Sequence, residues 1–105
     1  YLDFARLFQM NNAGAFFVTR TKSNTQFRLR YSHRVDKSTG VKCDQTIALT
    51  GNRSITDYPQ QLRRVKYRDP ENEKTYDFLT NNVAIPARTV ADLYRFRWKV
   101  ELFFK

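Results

Sequence analysis

The spacing of apolar residues divides the chain into a helix, a strand, a β-rich middle and a final helix. Residues 1–12 follow a helical repeat that ends at the stop signal in 11–14. Residues 15–19 form a short apolar run of the kind found in buried strands. A second helical repeat starts near 87–89 and continues to Lys105, without a residue that would end the helix. We therefore expect one α+β domain that is a piece of a longer protein.

The middle of the chain is predicted to be a four-stranded β meander. Its first strand alternates apolar and polar residues and is expected to be half-buried with a basic outer face: Phe27, Leu29 and Tyr31 against Arg28, Arg30 and Ser32. The second strand places its apolar residues on one parity: Val41, Cys43, Ile47 and Leu49. Residues 62–68 and 75–79 supply the other two strands, and the turns fall at 36–40 and 69–73. Residues 51–59 are predicted to be an irregular connection.

The charge of the chain indicates a polyanionic partner. A net charge of +9 arises from 19 Lys and Arg against 10 Asp and Glu, and twelve of the cations are Arg. The planar guanidinium binds phosphates and base edges through two parallel hydrogen bonds, so nucleic acid is the leading partner. A membrane surface is disfavoured, because no basic amphipathic helix separates its faces and no 18-residue apolar run is present.

The cysteine and histidine content limits the chemistry. The single Cys43 cannot form an internal disulfide or a cysteine-based metal site, which fits a reducing cytoplasm. The single His33 lies in a polar run and is expected at the surface, since a lone histidine cannot build a zinc site.

The final helix carries the best candidate site. Tyr94, Arg97 and Glu101 are separated by three and four residues, so they share one stripe. That stripe borders the predicted apolar arc, while a separate face is solvated: the arc is Val90, Leu93, Val100 and Phe104, and the solvated face is Asp92, Arg95 and Lys99. Charge beside a buried face is costly unless it is paired or binds an ion. The alternative is a half-buried structural ion pair between Arg97 and Glu101, although Arg before Glu is the weaker order in a helix.

The spacing Tyr94-x-x-Arg97-x-x-x-Glu101 resembles the YREK signature of DDE transposases of bacterial insertion sequences. The Lys of that signature would fall three residues past Lys105. The likeness extends through 62–65, 78–82, 85–87 and 100–105, and residues 1–4 resemble the segment after the second catalytic Asp of such enzymes. The resemblance therefore covers nearly the whole chain.

This resemblance implies a fold and an activity. The fold would be a fragment of an RNase H-like core, with a core helix and strand at 1–21, a four-stranded β insertion at 22–82 and the Glu-bearing core helix at 83–105. The activity would be Mg²⁺-dependent (or Mn²⁺-dependent) DNA cleavage and strand transfer at transposon ends. The implied partners are transposon-end DNA, target DNA and a second copy in an active homodimer, in the bacterial cytoplasm.

The resemblance also implies roles for three residues. Glu101 would be the catalytic carboxylate and metal ligand, while Tyr94 and Arg97 would hold a DNA phosphate near the metal ions. Both catalytic Asp are expected before Tyr1, so this fragment should be inactive alone and metal is expected only in the full-length protein. The acids Asp3, Asp57, Asp77 and Asp92 do not stand at family positions.

Further DNA contacts are predicted on the strands. The basic pairs Arg28 with Arg30 and Arg64 with Lys66 are candidates to follow the DNA backbone, or else they form ordinary solvated faces. Tyr76 is a candidate to stack on an unpaired base, or else it is an ordinary strand tyrosine.

Two other functions stay open at this point. The chain could be a non-catalytic basic β-rich module that binds nucleic acid, or a protein-interaction domain whose charge keeps it soluble. DNA titration at two salt concentrations separates these two, since only electrostatic binding weakens with salt. A dimer through Phe96, Phe103 and Phe104 is also predicted.

Overall fold

The computed structural model describes residues 3–21, 25–71 and 73–95. These residues form three α-helices, one 3-10 helix and five strands. The helices are α1 (Phe4–Asn12), α2 (Asn52–Asp57) and α3 (Ala87–Arg95), and the 3-10 turn is Lys37–Thr39. The strands are β1 (Val18–Arg20), β2 (Phe27–His33), β3 (Val41–Leu49), β4 (Leu62–Arg68) and β5 (Thr75–Thr80).

All five strands belong to one antiparallel sheet in the order β1-β5-β4-β3-β2. Strands β2 to β5 follow one another in sequence and in space, which confirms the predicted four-stranded meander. β1 then adds a fifth strand, because Val18 pairs with Thr80 and Arg20 with Phe78. The predicted buried strand at 15–19 is wrong in its bounds and position, since β1 is an edge strand and Phe16 is 68% exposed.

Helices cover both faces of the sheet. On one face, α1 and α2 pack over a cluster that we call the α1 core: Phe17, Ile47, Leu49, Tyr58, Leu62 and Leu79, with Phe4, Leu7, Phe8, Met10 and Phe27 at its margin. On the other face, α3 contributes Val90 and Ala91 to the α3 core, which also contains Val41, Val65, Tyr67 and Phe78. The side chains of β3, β4 and β5 alternate between these two cores. The sheet is therefore the middle layer of three.

A β-bulge at Lys42 overturns the predicted parity of β3. Cys43 pairs with Lys66, whereas Val41 pairs with Tyr67, so one extra residue lies between them on β3. Val41 is consequently buried in the α3 core, on the opposite face from Ile47. The sequence predicted both residues on one face, because an inserted residue leaves no mark on the alternation of residue types.

The predicted half-buried character of β2 is also wrong beyond its first residue. Phe27 packs at the margin of the α1 core, but Leu29 is 50% exposed and Tyr31 is 62% exposed. β2 lies at the edge of the sheet, beyond the area that the helices cover. Its register with β3 shifts between Leu29 and Tyr31, so a second bulge changes the direction of Tyr31.

The segment between β3 and β4 was predicted to be irregular, but residues 52–57 form α2. This helix has only six residues, and its N-cap Gly51 supplies no side-chain hydrogen bond. Its sequence therefore lacks the usual start signal and a full apolar repeat. Tertiary packing supports it instead, since Tyr58 at its C-cap is buried against the ring of Phe8, 5.2 Å away.

The side chain of Asn81, at the end of β5, hydrogen-bonds to the loop between α1 and β1. Its Nδ2 donates to Ala15 O at 2.9 Å and to Asn11 Oδ1 at 3.0 Å, and its Oδ1 accepts from Phe17 N at 3.0 Å. Two of these bonds satisfy backbone groups between α1 and β1, and the third joins the Asn81 amide to the Asn11 side chain at the end of α1. Within the described part of the chain, no helix has the length and apolar character that a membrane crossing requires.

Candidate nucleic-acid interface

Helix α3 presents Tyr94 at the border of the buried face, as the sequence predicted. Val90 and Ala91 are buried against the sheet, and the half-buried ring of Tyr94 lies 4.8 Å from the ring of Phe78. The predicted apolar arc is wrong at Leu93, which is 40% exposed. Arg97 and Glu101 lie outside the described residues, and so do the three rings of the predicted dimer: Phe96, Phe103 and Phe104.

An inward-facing arginine of β4 holds the segment that leads into α3. Arg63 Nε donates to Asp44 Oδ1 at 2.9 Å and Nη2 donates to Asp44 Oδ2 at 2.8 Å. Its Nη1 donates to Ile85 O at 2.6 Å and to Asn82 O at 3.1 Å. One buried guanidinium therefore fixes both the sheet and the start of α3. The sequence signal was the parity of Arg63, which matches buried Val65 and Tyr67.

The structure brings Tyr76 and Tyr94 together. Their ring centroids are 6.5 Å apart, and the ring of Tyr76 stacks on Phe78 at 5.8 Å with an interplanar angle of 15°. Arg20, which sequence reasoning missed, places its guanidinium carbon 5.1 Å from the centroid of Tyr76. Arg20 is exposed at the sheet edge, so it adds a cation beside two candidate DNA contacts. We call Arg20, Tyr76, Phe78 and Tyr94 the tyrosine cluster.

Arg64 and Lys66 lie on the other face of the sheet from the tyrosine cluster. Arg64 pairs with Leu79 and Lys66 with Asp77, and the alternation of β5 directs those residues away from Tyr76 and Phe78. Arg64 Nη2 lies 2.9 Å from Asp77 Oδ1, and Nη1 donates to Gln45 Oε1 at 2.9 Å. The Arg64 side chain is 14% exposed and also covers the ring of Phe27. Its charge is therefore already partnered within the sheet.

Arg28 and Arg30 lie on β2, at the opposite edge of the sheet from β1. Both are exposed, as the predicted basic outer face requires. Three strand spacings of about 4.8 Å separate β2 from β5, or roughly 14 Å. The predicted contacts therefore fall into three separate places: the tyrosine cluster, the Arg64 face and the β2 edge.

Three acids of the described ranges have structural roles in helices, and no metal-ligand cluster forms within those ranges. Asp3 caps α1 through Arg6 N, while Asp57 and Asp92 pair with arginines one helical turn away. Across 3–21, 25–71 and 73–95, no three His, Cys, Asp or Glu residues come together as metal ligands. His33 is exposed and its Nε2 lies 3.0 Å from Thr46 Oγ1, which agrees with the predicted surface position.

Two groups with a shifted pKa lie away from the tyrosine cluster. The Ser38 hydroxyl and backbone N–H donate to Asp36 and hold the pKa of that carboxyl below its usual value. Burial in the α1 core raises the pKa of the Tyr58 phenol. Both shifts have local structural causes, one in a turn and one in a core, and neither indicates a catalytic group.

Comparison with known proteins identifies a family and a relative of this chain. The family model described as "Transposase DDE domain" matches residues 1–105. The chain is 35% identical over 97 residues to the protein named "Putative transposase y4zB" from Sinorhizobium fredii (strain NBRC 101917 / NGR234). The match covers 89% of this chain and 27% of that protein, so the chain spans about a quarter of its relative. No solved structure matches.

Proposed function

Because this chain belongs to the transposase DDE domain family, we propose that it is part of the catalytic domain of a DNA transposase. The reaction is Mg²⁺-dependent cleavage and strand transfer at transposon ends, performed by the longer protein as a homodimer on DNA in the bacterial cytoplasm. In this proposal, residues 1–21 and 83–105 belong to an RNase H-like core, and residues 22–82 are its β insertion.

The observation that carries the proposal is the position of Tyr94. Its helix is fixed against the sheet by Val90 and Ala91, and its ring contacts Phe78 beside Tyr76. A ring held this way has a fixed position on a packed helix, which suits a group that must orient a phosphate. Arg20 at 5.1 Å from Tyr76 adds positive charge to the same place.

We assign Arg97 and Glu101 from their spacing to Tyr94 and the family match. Arg97 binds a phosphate through its guanidinium fork, together with the Tyr94 hydroxyl. Glu101 provides a hard carboxylate oxygen of the kind that Mg²⁺ prefers. The described residues do not form a ligand set on their own, so we assign the other ligands to the longer protein. A divalent metal held there would supply activation of the attacking oxygen and stabilisation of the leaving one.

The test uses the full-length protein that contains this chain. Its substrate is a plasmid that carries the genomic segment around its own coding sequence, so that the ends of the element are included. We expect strand breaks at the ends of that segment with Mg²⁺ and none with excess chelator. Glu101→Gln should lower cleavage by more than about a hundredfold, since even outer-sphere partners of a metal cost about 10- to 100-fold.

The matched control is Asp92→Asn, a carboxylate change on the same helix. Asp92 pairs with Arg88 at 3.4 Å on the exposed side of α3, with 44% of its side chain exposed. We expect its cleavage rate to stay within about twofold, because exposed ion pairs contribute little. Equal cleavage activity of the two variants would show that Glu101 is not part of the catalytic site. DNA binding without any cleavage would favour a non-catalytic nucleic-acid-binding module.

The strand arginines are tested by salt dependence. If Arg28 and Arg30 each contact one phosphate, Arg28→Ala should reduce the slope of log affinity against log salt by about 1. Arg64→Ala should do the same only if its pairing with Asp77 opens on binding. An unchanged slope for both variants would mean that neither arginine contacts a phosphate. The DNA would then be bound by the tyrosine cluster and Arg97.

A further inference from the structure

The bulge in β2 assembles a basic and aromatic surface at the edge of the sheet. Arg28 pairs with Ala48 and Tyr31 pairs with Thr46, and these two β3 residues are separated by two positions. Arg28 and Tyr31 therefore share one face, although an unbroken strand would direct them to opposite faces. His33 pairs with Asp44 and joins the same face. We call Arg28, Tyr31 and His33 the β2 platform.

The two rings of the β2 platform support each other and face solvent. The ring centroids of Tyr31 and His33 are 4.7 Å apart in an edge-to-face arrangement. His33 Nε2 lies 3.0 Å from Thr46 Oγ1 on β3, which fixes the imidazole against the sheet. Tyr31 nevertheless remains 62% exposed and His33 is exposed. An exposed ring that is held in place on a strand offers a face on which an unpaired base can stack.

The charges around these rings identify the partner. Arg28, Arg30 and Arg34 are all exposed along this edge. Their like charges oppose edge-to-edge pairing with a second copy of the chain. A polyanion is attracted instead, and a cation beside aromatic faces suits the phosphates and unpaired bases of a single strand. A duplex would engage only the cations, because its base faces are stacked inside.

We propose that the β2 platform binds unpaired nucleotides of single-stranded DNA, with Tyr31 stacking on a base and Arg28 contacting a phosphate. This inference rests on the proposed DNA function but concerns another edge of the sheet from the tyrosine cluster. It assigns a role to a strand that packs against neither helical layer beyond Phe27. It also gives the bulge a purpose, since bulges commonly change the direction of a functional side chain.

The experiment measures binding of a fluorescent 20-nucleotide oligothymidine and of a 20-base-pair duplex to the full-length protein. We expect Tyr31→Ala to weaken single-strand binding by about tenfold or more, within the range measured for loss of one stacked base. Tyr31→Phe should retain the wild-type affinity, because the ring and not the hydroxyl makes the stack. Duplex affinity should change by less than about twofold in both variants. Arg28→Ala should lower the affinity for both the single strand and the duplex. It should also reduce the slope of log affinity against log salt for both ligands.

The matched control is Leu29→Ala, which removes a 50% exposed apolar side chain from the other face of the same strand. We expect it to leave single-strand affinity unchanged. A 2-aminopurine base in the oligonucleotide adds a direct signal, since stacking quenches its fluorescence. Quenching should occur with wild type and Tyr31→Phe and be absent with Tyr31→Ala.

Several results would overturn the inference. One is that Tyr31→Ala and Leu29→Ala have equal affinities for the single strand. Another is that Tyr31→Ala loses as much affinity for the duplex as for the single strand. The third is that the wild-type protein does not bind the single strand. Loss of self-association in Tyr31→Ala with unchanged DNA affinity would identify a protein contact instead. Cleavage that depends on Glu101 alongside any of these results would reject the β2 platform while leaving the proposed transposase function intact.

Discussion

Arg63 and Asp44 form a bidentate ion pair inside the sheet, with side chains only 8% and 11% exposed. The same guanidinium donates to the carbonyls of Asn82 and Ile85. This arginine therefore binds β3 and β4 to the segment that starts α3. Its energetic role follows from burial, because a buried charge that loses its partner cannot be solvated.

We expect Asp44→Ala to lower the free energy of unfolding by about 3–5 kcal/mol, because it leaves the buried Arg63 cation uncompensated. Urea unfolding measures the change. Arg53→Ala is the matched control: its pair with Asp57 is 3.6 Å long and the arginine is 92% exposed. That control should stay within about 1 kcal/mol. Equal effects of the two variants would contradict the structural role of the buried pair.

We expect any side chain at position 40 to destabilise the folded state. The φ of Gly40 is +92°, and a Cβ there would lie 2.8 Å from both Arg68 O and Tyr67 Cε1. Gly14 has a φ of +80° but nothing within 4 Å of a Cβ. Gly14→Ala should therefore cost about 1–2 kcal/mol, the left-handed backbone penalty alone.

Gly40→Ala adds a steric clash to the same backbone penalty, so we expect it to reduce the free energy of unfolding by more than Gly14→Ala. Urea unfolding of the two variants compares them directly. A smaller loss at Gly40 than at Gly14 would show that the β4 backbone and the Tyr67 ring move aside without cost.

The turn before β3 should show a defined acid response. Asp36 Oδ1 accepts from Ser38 Oγ at 2.6 Å and from Ser38 N at 3.0 Å, which lowers the pKa of the carboxyl. A lowered folded pKa stabilises the folded state above the unfolded value of about 3.9, and this contribution is lost as pH falls through the folded pKa. Ser38→Ala removes the hydroxyl donor but keeps the backbone N–H.

We therefore expect Ser38→Ala to raise the pKa of Asp36 part of the way towards its usual value, as measured by carboxyl-carbon NMR titration. The loss of stability below about pH 4 should become smaller than in wild type. Ser32→Ala, an exposed serine on β2, is the control and should leave the Asp36 titration unchanged. An identical Asp36 titration in wild type and Ser38→Ala would mean that the backbone N–H alone causes the shift.

The elements that the sequence predicted correctly have strong local signals. The turn at Asp36 to Gly40 and the stop at Gly14 use residues with special backbone or hydrogen-bonding properties. They divide the chain at the same points in sequence and structure, which is why the meander was predictable. The border position of Tyr94 followed from helical periodicity, which only weakly depends on the rest of the fold.

The features that the sequence could not reveal depend on neighbours in space. A bulge adds one residue to a strand without a characteristic residue type, so the faces of Val41 and Tyr31 were assigned wrongly. Helix α2 exists because it packs against α1, and its own six residues carry little signal. Arg20 reaches the tyrosine cluster only because β1 pairs with β5, a contact between residues about 60 positions apart.

The sheet residues of the α3 core all lie on strands that precede α3 in the chain. Val41, Val65, Tyr67 and Phe78 are all synthesised before Val90 and Ala91. Since translation proceeds from the N-terminus and elongates by about 5–20 residues per second, the strands of the meander are made before this helix and can begin to pair ahead of it. Helix α3 can then dock onto a surface that is already formed, so a slow or misregistered hairpin would expose the apolar side of α3 in the nascent protein.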